Sequence, residues 1–333
     1  MPLQIYEACP STSIYHRKPL VNSKDNSLLV MIPGNPGIVE YYETYVDLIQ
    51  AKFPRFETLI ISQAGIQSSD ISKSKGPFVY YGIKDQIDHK LKVIWDFVKD
   101  REEKTDLYIL SHSFGSYISQ RVAKAILEDF EKQKAINLKF VGLICPVVVD
   151  PAKSVAGQRL LKFFAYLPLF HIMYFFVSLL QLLPLAWLEF IIKEVTLAKP
   201  TRTDEAAQKG FHNAVQATLR LLLSKNNVHE MIALVEEELR RILRDDKMND
   251  WFFEHLSREN NVMIWSYFAE SDHWVHDSTR DYILARYAKP SNRNLSFQVG
   301  GIGDSELITH SFCVHQSVEF SEITNEIMEH ILK

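Results

Sequence analysis

A mostly parallel central sheet with helices on both of its faces follows from three observations on this 333-residue sequence. Short apolar runs alternate with helix-length amphipathic segments, which is the pattern of parallel strands joined by crossover helices. The alternation stops near Asp150-Pro151 and resumes at Asn261, so a helical insertion of roughly a hundred residues divides it. One apolar run ends in Leu110-Ser-His-Ser113-Phe-Gly115-Ser, a serine between small residues at a strand-to-helix junction.

The elements justify this class in order. Residues before about Leu20 resemble a short antiparallel start to the sheet, although Pro10 and a Ser/Thr cluster interrupt it. Strands are predicted over 27–32, 57–62, 107–110 and 139–144, each short, apolar and β-branched enough for a strand buried on both faces. Between them, helices are predicted over 39–53, 81–99 and 116–132; in the second, Ile87, Leu91, Ile94, Trp95 and Val98 recur at three- to four-residue spacing. After the insertion come a strand over 262–268, a helix over 279–288, a strand over 295–299 and a final helix over 314–332. Residues 1–150 and 260–333 therefore form one core, and 151–259 a helical cap.

Composition narrows the possible functions. A hydrophobic content of 47% with 23% charged residues describes an ordered globular chain. The net charge of −4 and the lack of a clustered Lys/Arg run or zinc-ligand spacing exclude a nucleic-acid partner. Cys9, Cys145 and Cys313 are odd in number and scattered, as expected of reduced thiols in a cytosol-facing protein. The first residues lack both the basic start and the apolar core of a signal peptide.

The insertion has two characters. Residues 204–254 are polar and periodic, with Glu236, Glu237 and Glu238 near Arg240, Arg241 and Arg244, as in solvated helices packing one face downward. Residues 163–187 contain no Asp, Glu, Lys or Arg, and are broken by Pro168 and Pro184. That length would suffice for one membrane span, but proline divides it into pieces too short to cross about 30 Å of hydrocarbon. A hairpin or interfacial segment over about 160–192 is expected, favoured by Tyr166, Tyr174, Trp187 and five phenylalanines within 163–187, because aromatic rings prefer the headgroup boundary. The competing interpretation is a lid over an apolar pocket.

Chemistry centres on Ser113. A serine at the tip of a strand-to-helix turn needs small neighbours, and Ser111 and Gly115 supply them; the bland alternative is a serine that caps the helix. Such a nucleophile needs a histidine base and an acid that fixes its tautomer, in the chain order serine, acid, histidine. Asp272, just past the strand over 262–268, is the expected acid, with Asp150 the rival, Glu270 too near its strand, and an Asx turn the bland role. His310, on the loop after the last strand, is the expected base, and His315 falls where the final helix has begun. His112 is expected to be a packing or oxyanion-loop neighbour. Asp272, His273 and His276 form an Asp-His-x-x-His pattern, but with no second ligand cluster no metal site is expected, and no cofactor pattern is present. The oxyanion donors expected are Phe114, following the serine, and Asn35 in the loop Pro33-Gly-Asn-Pro-Gly37.

With these residues in place the sequence resembles the lipid droplet-associated hydrolase family. Pro33-Gly-Asn-Pro-Gly37 with Tyr41-Tyr42, the Ser-His-Ser-Phe-Gly-Ser-Tyr elbow, Asp272-His-Trp and Thr309-His310-Ser-Phe312 carry the resemblance, which covers nearly the whole chain. It implies an α/β-hydrolase fold, sterol-ester hydrolase activity with a triad at Ser113, Asp272 and His310, and residence on cytosolic lipid droplets and the endoplasmic reticulum. The implied partners are a lipid-ester substrate and a droplet monolayer or endoplasmic reticulum surface. The sequence departs from the pattern at Ser111, where glycine is expected and a Cβ would narrow the elbow. Two other functions compete: a droplet-binding protein that shapes or tethers lipid stores with a weak or idle triad, and a soluble small-molecule esterase or thioesterase whose apolar insertion is only a lid.

Overall fold

The computed structural model describes residues 3–6, 12–22, 26–67, 78–166, 169–300 and 307–332. Cys9, Pro10, Pro168 and positions 301–306 of the loop after the last predicted strand lie outside them.

Eight strands form one sheet: β1 (Leu3–Tyr6), β2 (Thr12–Arg17), β3 (Ser27–Ile32), β4 (Glu57–Ile61), β5 (Thr105–His112), β6 (Ile136–Ile144), β7 (Met263–Phe268) and β8 (Leu295–Val299), in the spatial order β1-β2-β4-β3-β5-β6-β7-β8. The antiparallel start is present, since β1 pairs with β2 and β2 with β4 in that sense, and all later pairings are parallel. Every residue of β3 is buried. Its side chains alternate between faces, as the pleat demands: Leu28, Val30 and Ile32 pack with Ile94 and Ile118 on one side, Leu29 and Met31 with Tyr45, Ile49 and Phe320 on the other. Each such side chain contributes about 1.5–3 kcal/mol by leaving water, so two continuous cores clamp the strand that leads into the loop at Gly34.

The helices flanking the sheet are α1 (Glu43–Lys52), α2 (Ile83–Val98), α3 (Phe114–Glu128) and the short α4 (Phe130–Ala135). The segment 151–259 carries α5 (Val155–Tyr166), α6 (Leu169–Leu180), α7 (Leu185–Ile191), α8 (Glu205–Leu223), α9 (Lys225–Arg241), α10 (Asp246–Asp250) and α11 (Ser257–Glu259); α12 (Asp277–Tyr287), α13 (Phe312–His315) and α14 (Ser317–Ile331) complete the chain. Three boundaries differ from the predicted helices. Residues 39–53 divide into a single turn at Val39–Tyr41 and α1. Residues 116–132 divide at Asp129, whose carboxylate accepts the Glu131 and Lys132 N–H groups and starts α4. Residues 314–332 divide at Gln316, whose amide is drawn to Thr309 and Leu307.

Within 151–259, α8 packs on the Val39–Tyr41 turn, α1 and α13, and α9 on α6, α5 and α2. Glu40 and Arg220 form an ion pair, and Tyr41 Oη shares a hydrogen with Thr218 Oγ1 at 2.7 Å, both between the Val39–Tyr41 turn and α8. From α6 to α7 the outward side is apolar: Phe175, Phe176, Leu182, Trp187 and Phe190 are all exposed, Leu182 and Trp187 by 79% and 63%. Among the described residues no single helix is long and apolar enough to cross a membrane, and α5 and α6 are bent by 101° at their junction.

Candidate active site

Strand β5 ends in His112, and α3 begins at Phe114, so Ser113 alone makes the turn. Its φ of 53° and ψ of −122° lie in a region that L-residues rarely occupy, held by hydrogen bonds from Ser113 N to Ile144 O (2.8 Å) and from Val147 N to Ser113 O (3.2 Å). The hydroxyl makes no capping bond to α3. Gly115 is needed because a Cβ there would sit 2.6 Å from Pro33 O and nearer still to Ile32 O. Ser111, which stands where glycine was expected, is accommodated: its hydroxyl donates to Gly142 O (3.0 Å) and lies 2.9 Å from Ser119 Oγ, and neither of these is the side-chain partner of Ser113.

That partner is His310. Its Nε2 lies 3.0 Å from Ser113 Oγ, and its Nδ1 2.7 Å from Asp272 Oδ2, with the two side chains 10% and 4% exposed. The other oxygen, Asp272 Oδ1, accepts the N–H groups of Trp274 (2.7 Å) and Val275 (3.0 Å) in the turn after β7. Burial pushes this carboxyl up, but His310 and the two backbone donors outweigh it and hold the acid below its usual range. Residues 197 positions apart in sequence are thus brought into hydrogen-bond reach.

The remaining candidates sit elsewhere. Asp150 accepts Arg244 N–H (2.9 Å) and pairs with Lys153 (2.7 Å), so its carboxylate is not bonded to His310. Glu270 and His273 are exposed. His276 Nδ1 accepts Ser278 N–H and caps α12, which separates it from any joint ligand role with Asp272. His315 closes α13. Among the described residues the metal-capable side chains that converge are Cys145, Asp272 and His310, the predicted acid and base together with a thiol whose burial, with Asp272 beside it, pushes it well up.

Opposite Ser113 the loop after β3 passes so close that a Cβ on Gly34 would lie 2.9 Å from Ser113 Cβ. The Gly34 N–H is taken by Tyr42 Oη (3.2 Å), and the Asn35 side chain is also committed, donating to Met231 O and Glu238 Oε1 on α9 (both 3.0 Å). Of the two predicted oxyanion donors, Asn35 thus has its side-chain amide engaged by α9, and Phe114 stands at the start of α3, where a helix leaves its first N–H groups without intrahelical partners. Glu238, placed by the sequence pattern among the charges of a solvated helix, is instead buried where α9 meets the Asn35 loop; burial raises its carboxyl to about 8, the Asn35 bond acting the other way. Tyr42 and His112 are buried beside them.

The sheet order, with a strained serine at the β5–α3 turn and a histidine after β8, defines an α/β-hydrolase. Solved structures of low sequence identity share the fold: a membrane phospholipase A described as a bacterial virulence factor (TM-score 0.58, 11% identity, covering 100% of this chain and 87% of that one) and haloalkane dehalogenase DbeA from Bradyrhizobium elkani (0.55, 11%, covering 99% and 98%). The family model described as lipid-droplet associated hydrolase matches residues 25–313, and the chain belongs to that family. The Gallus gallus lipid droplet-associated hydrolase is 23% identical over 285 residues, 78% of this chain and 76% of the chicken protein.

Proposed function

We propose that this protein is a serine hydrolase of lipid esters, with sterol esters as the substrate class, working at the surface of lipid droplets and of the endoplasmic reticulum on the cytosolic side. The observation that carries the proposal is the continuous hydrogen-bonded chain Ser113–His310–Asp272 at a strained turn. In the first half-reaction His310 Nε2 removes the Ser113 proton as Oγ attacks the ester carbonyl. The negative charge that develops is met by the Phe114 and Asn35 main-chain N–H groups, and Asp272 stabilises the imidazolium through Nδ1–H. The C–O bond to the alcohol then breaks, and His310 returns its proton to the leaving oxygen. Water, activated by the same histidine, releases the acid and restores Ser113.

Two further features support a lipid substrate. An apolar cavity of ≈ 650 Å³ lies between α6 and α9, lined by Tyr174, Phe175, Val177, Val228 and Ile232. One wall of this volume is α9, the helix whose Met231 carbonyl also holds the Asn35 side chain, and its apolar lining is suited to a hydrocarbon chain or ring system. The exposed aromatic and leucine side chains from α6 to α7 suit a surface that rests on acyl chains, with residues 151–259 acting as a cap over the 1–150 and 260–333 core.

The test is fluorophosphonate labelling followed by hydrolysis of sterol, retinyl and glyceryl esters, with and without droplets. Labelling lost in Ser113→Ala and ester turnover enhanced by droplets are expected. Equal labelling of wild type and Ser113→Ala, or a cellular lipid phenotype kept by Ser113→Ala and lost on deleting 163–188, would replace the enzyme with a droplet-binding role. Hydrolysis confined to soluble esters, with no flotation on droplets, would reduce the apolar insertion to a lid.

A further inference from the structure

Two buried side chains beside the nucleophile take no part in the acyl transfer described above, yet connect two of its components. His112 Nε2 lies 2.8 Å from the main-chain oxygen of His310, and His112 Nδ1 lies 2.7 Å from Tyr42 Oη. Tyr42 Oη in turn lies 3.2 Å from the Gly34 N–H. Neither residue meets water, with Tyr42 3% and His112 5% exposed.

The donor directions in this chain are fixed by chemistry. A main-chain carbonyl only accepts, so His112 Nε2 must carry the proton and donate to His310 O. Burial, and then the neighbouring His310, push the His112 imidazole down to about 3, so it is neutral and its Nδ1 is an acceptor. The Tyr42 hydroxyl must therefore donate to Nδ1, which leaves its oxygen to accept the Gly34 N–H. Neutrality also spares the imidazolium that His310 becomes during attack from a cationic neighbour, its ring centroid only 5.0 Å away. Phe312 packs edge-on against His112 at 5.1 Å and against Tyr42 at 6.4 Å, fixing both rings. The chain of bonds thus starts one residue before the Asn35 oxyanion donor and ends on the backbone of the base.

We propose that Tyr42 and His112 act as one hydrogen-bonded strut that sets the oxyanion loop at Gly34-Asn35 and the backbone of His310 at a fixed separation across Ser113, and are positioning residues of the site. The proposal rests on the Ser113 hydrolase mechanism above. Attack by Oγ requires the base and the oxyanion donors to be in place at the same moment, and the strut is a direct buried connection between them. Phenylalanine at position 42 would remove only the hydroxyl, stranding Gly34 N–H and His112 Nδ1. Phenylalanine at 112 would strand His310 O and the Tyr42 hydroxyl.

The experiment combines kinetics on a short-chain ester, fluorophosphonate labelling rates and amide hydrogen exchange on the full chain. A misplacement of about 1 Å costs about 100-fold in rate, so Tyr42→Phe and His112→Phe are each expected to lower kcat and the labelling rate by about 10- to 100-fold. KM should stay within about threefold, because the losses fall on the transition state. The double variant should lose no more than the worse single one, and His112→Gln, whose amide can donate to His310 O and accept from Tyr42, should recover part of the loss. Exchange should quicken both at 34–37 and at 308–312. Tyr45→Phe, which removes an equally buried hydroxyl bonded to Thr324 at 2.7 Å, serves as the control for stability alone and should keep its kcat. Wild-type kcat and exchange in Tyr42→Phe, or losses that multiply in the double variant, would overturn the strut while leaving the hydrolase intact. Absence of Ser113 labelling in the wild type would overturn the hydrolase mechanism and the strut's catalytic role with it.

Discussion

Replacing Gly115 with alanine tests the closeness of the elbow to the oxyanion loop. The new Cβ would stand 2.6 Å from Pro33 O, and nearer to Ile32 O, where ordinary contact begins at 3.4 Å. Both obstructing atoms are main chain and cannot rotate aside, so the end of β3 must retreat from α3 by about 1 Å, a displacement that costs about 100-fold in a positioned reaction. The residues that follow are Gly34 and Asn35, so the retreat draws a donor away from the developing oxyanion, for which losses of about 10²–10³ in kcat are usual. Overpacking of this kind also destabilises a fold by about 1–3 kcal/mol. The assay pairs kcat and KM on a short-chain ester with urea unfolding followed by circular dichroism. Gly115→Ala should stay folded, lose stability in that range, and show kcat lowered about 100-fold with KM little altered. A variant with wild-type kcat would refute the placement of the oxyanion site between β3 and α3, and a raised KM with unchanged kcat would assign Gly115 to substrate binding.

Four further outcomes are expected. Asp272→Asn should lower kcat by about 10³–10⁴, because an amide that keeps the Trp274 and Val275 bonds favours the wrong histidine tautomer; a loss under tenfold in steady-state turnover would remove Asp272 from the triad. The Asp272 carboxyl is held below its unfolded value, so its contribution to stability is complete above that value and is lost as pH falls through the folded one; acid titration of unfolding free energy should be shallower in Asp272→Asn than in wild type. For Glu238, raised to about 8, the folded state binds the extra proton, so stability should fall as pH rises from about 5 to 8. Glu238→Gln, which keeps an acceptor for Asn35, should flatten that fall in thermal melts across this window, and an unchanged pH dependence would show that Glu238 does not titrate there. Leu182→Ser with Trp187→Ser, at 79% and 63% exposure, should leave the melting temperature unchanged yet reduce droplet flotation at least about tenfold, since each large apolar side chain gains about 1.5–3 kcal/mol on leaving water; undiminished flotation would remove this face from the lipid contact.

Much of the fold was legible because a parallel strand buried on both faces must be apolar through its centre, and β3 shows this from Leu28 to Ile32 and β4 from Leu59 to Ile61. The elbow was legible for a related reason: Gly115 cannot carry a Cβ so close to the end of β3. The extent of β5 was less so, because Ser111 and His112 look like turn residues in sequence and are held in the strand by pairing with Leu143 and Ile144. Helix breaks at Asp129 and Gln316 were hidden, since apolar spacing continues across both while the breaks arise from a capping carboxylate and from side-chain bonds to residues seven and nine positions away. The acid and base could be proposed from chain order, but choosing Asp272 over Asp150 needs the loop geometry that commits Asp150 to Arg244 and Lys153. Asn35 illustrates the limit of local pattern: the Pro/Gly loop marked the position, but only the packing of α9 shows that its side chain is occupied, which is why the backbone N–H is the donor proposed.

Mass-spectrometric identification of the residue modified by a fluorophosphonate, on purified full-length protein with Ser113→Ala and His310→Ala alongside, tests the central claim most directly. A single adduct on Ser113 is expected in the wild type, none in Ser113→Ala, and labelling at least about 100-fold slower in His310→Ala, where the base is gone. An adduct on another residue, or a wild type that stays unmodified while folded, would contradict a nucleophilic role for Ser113.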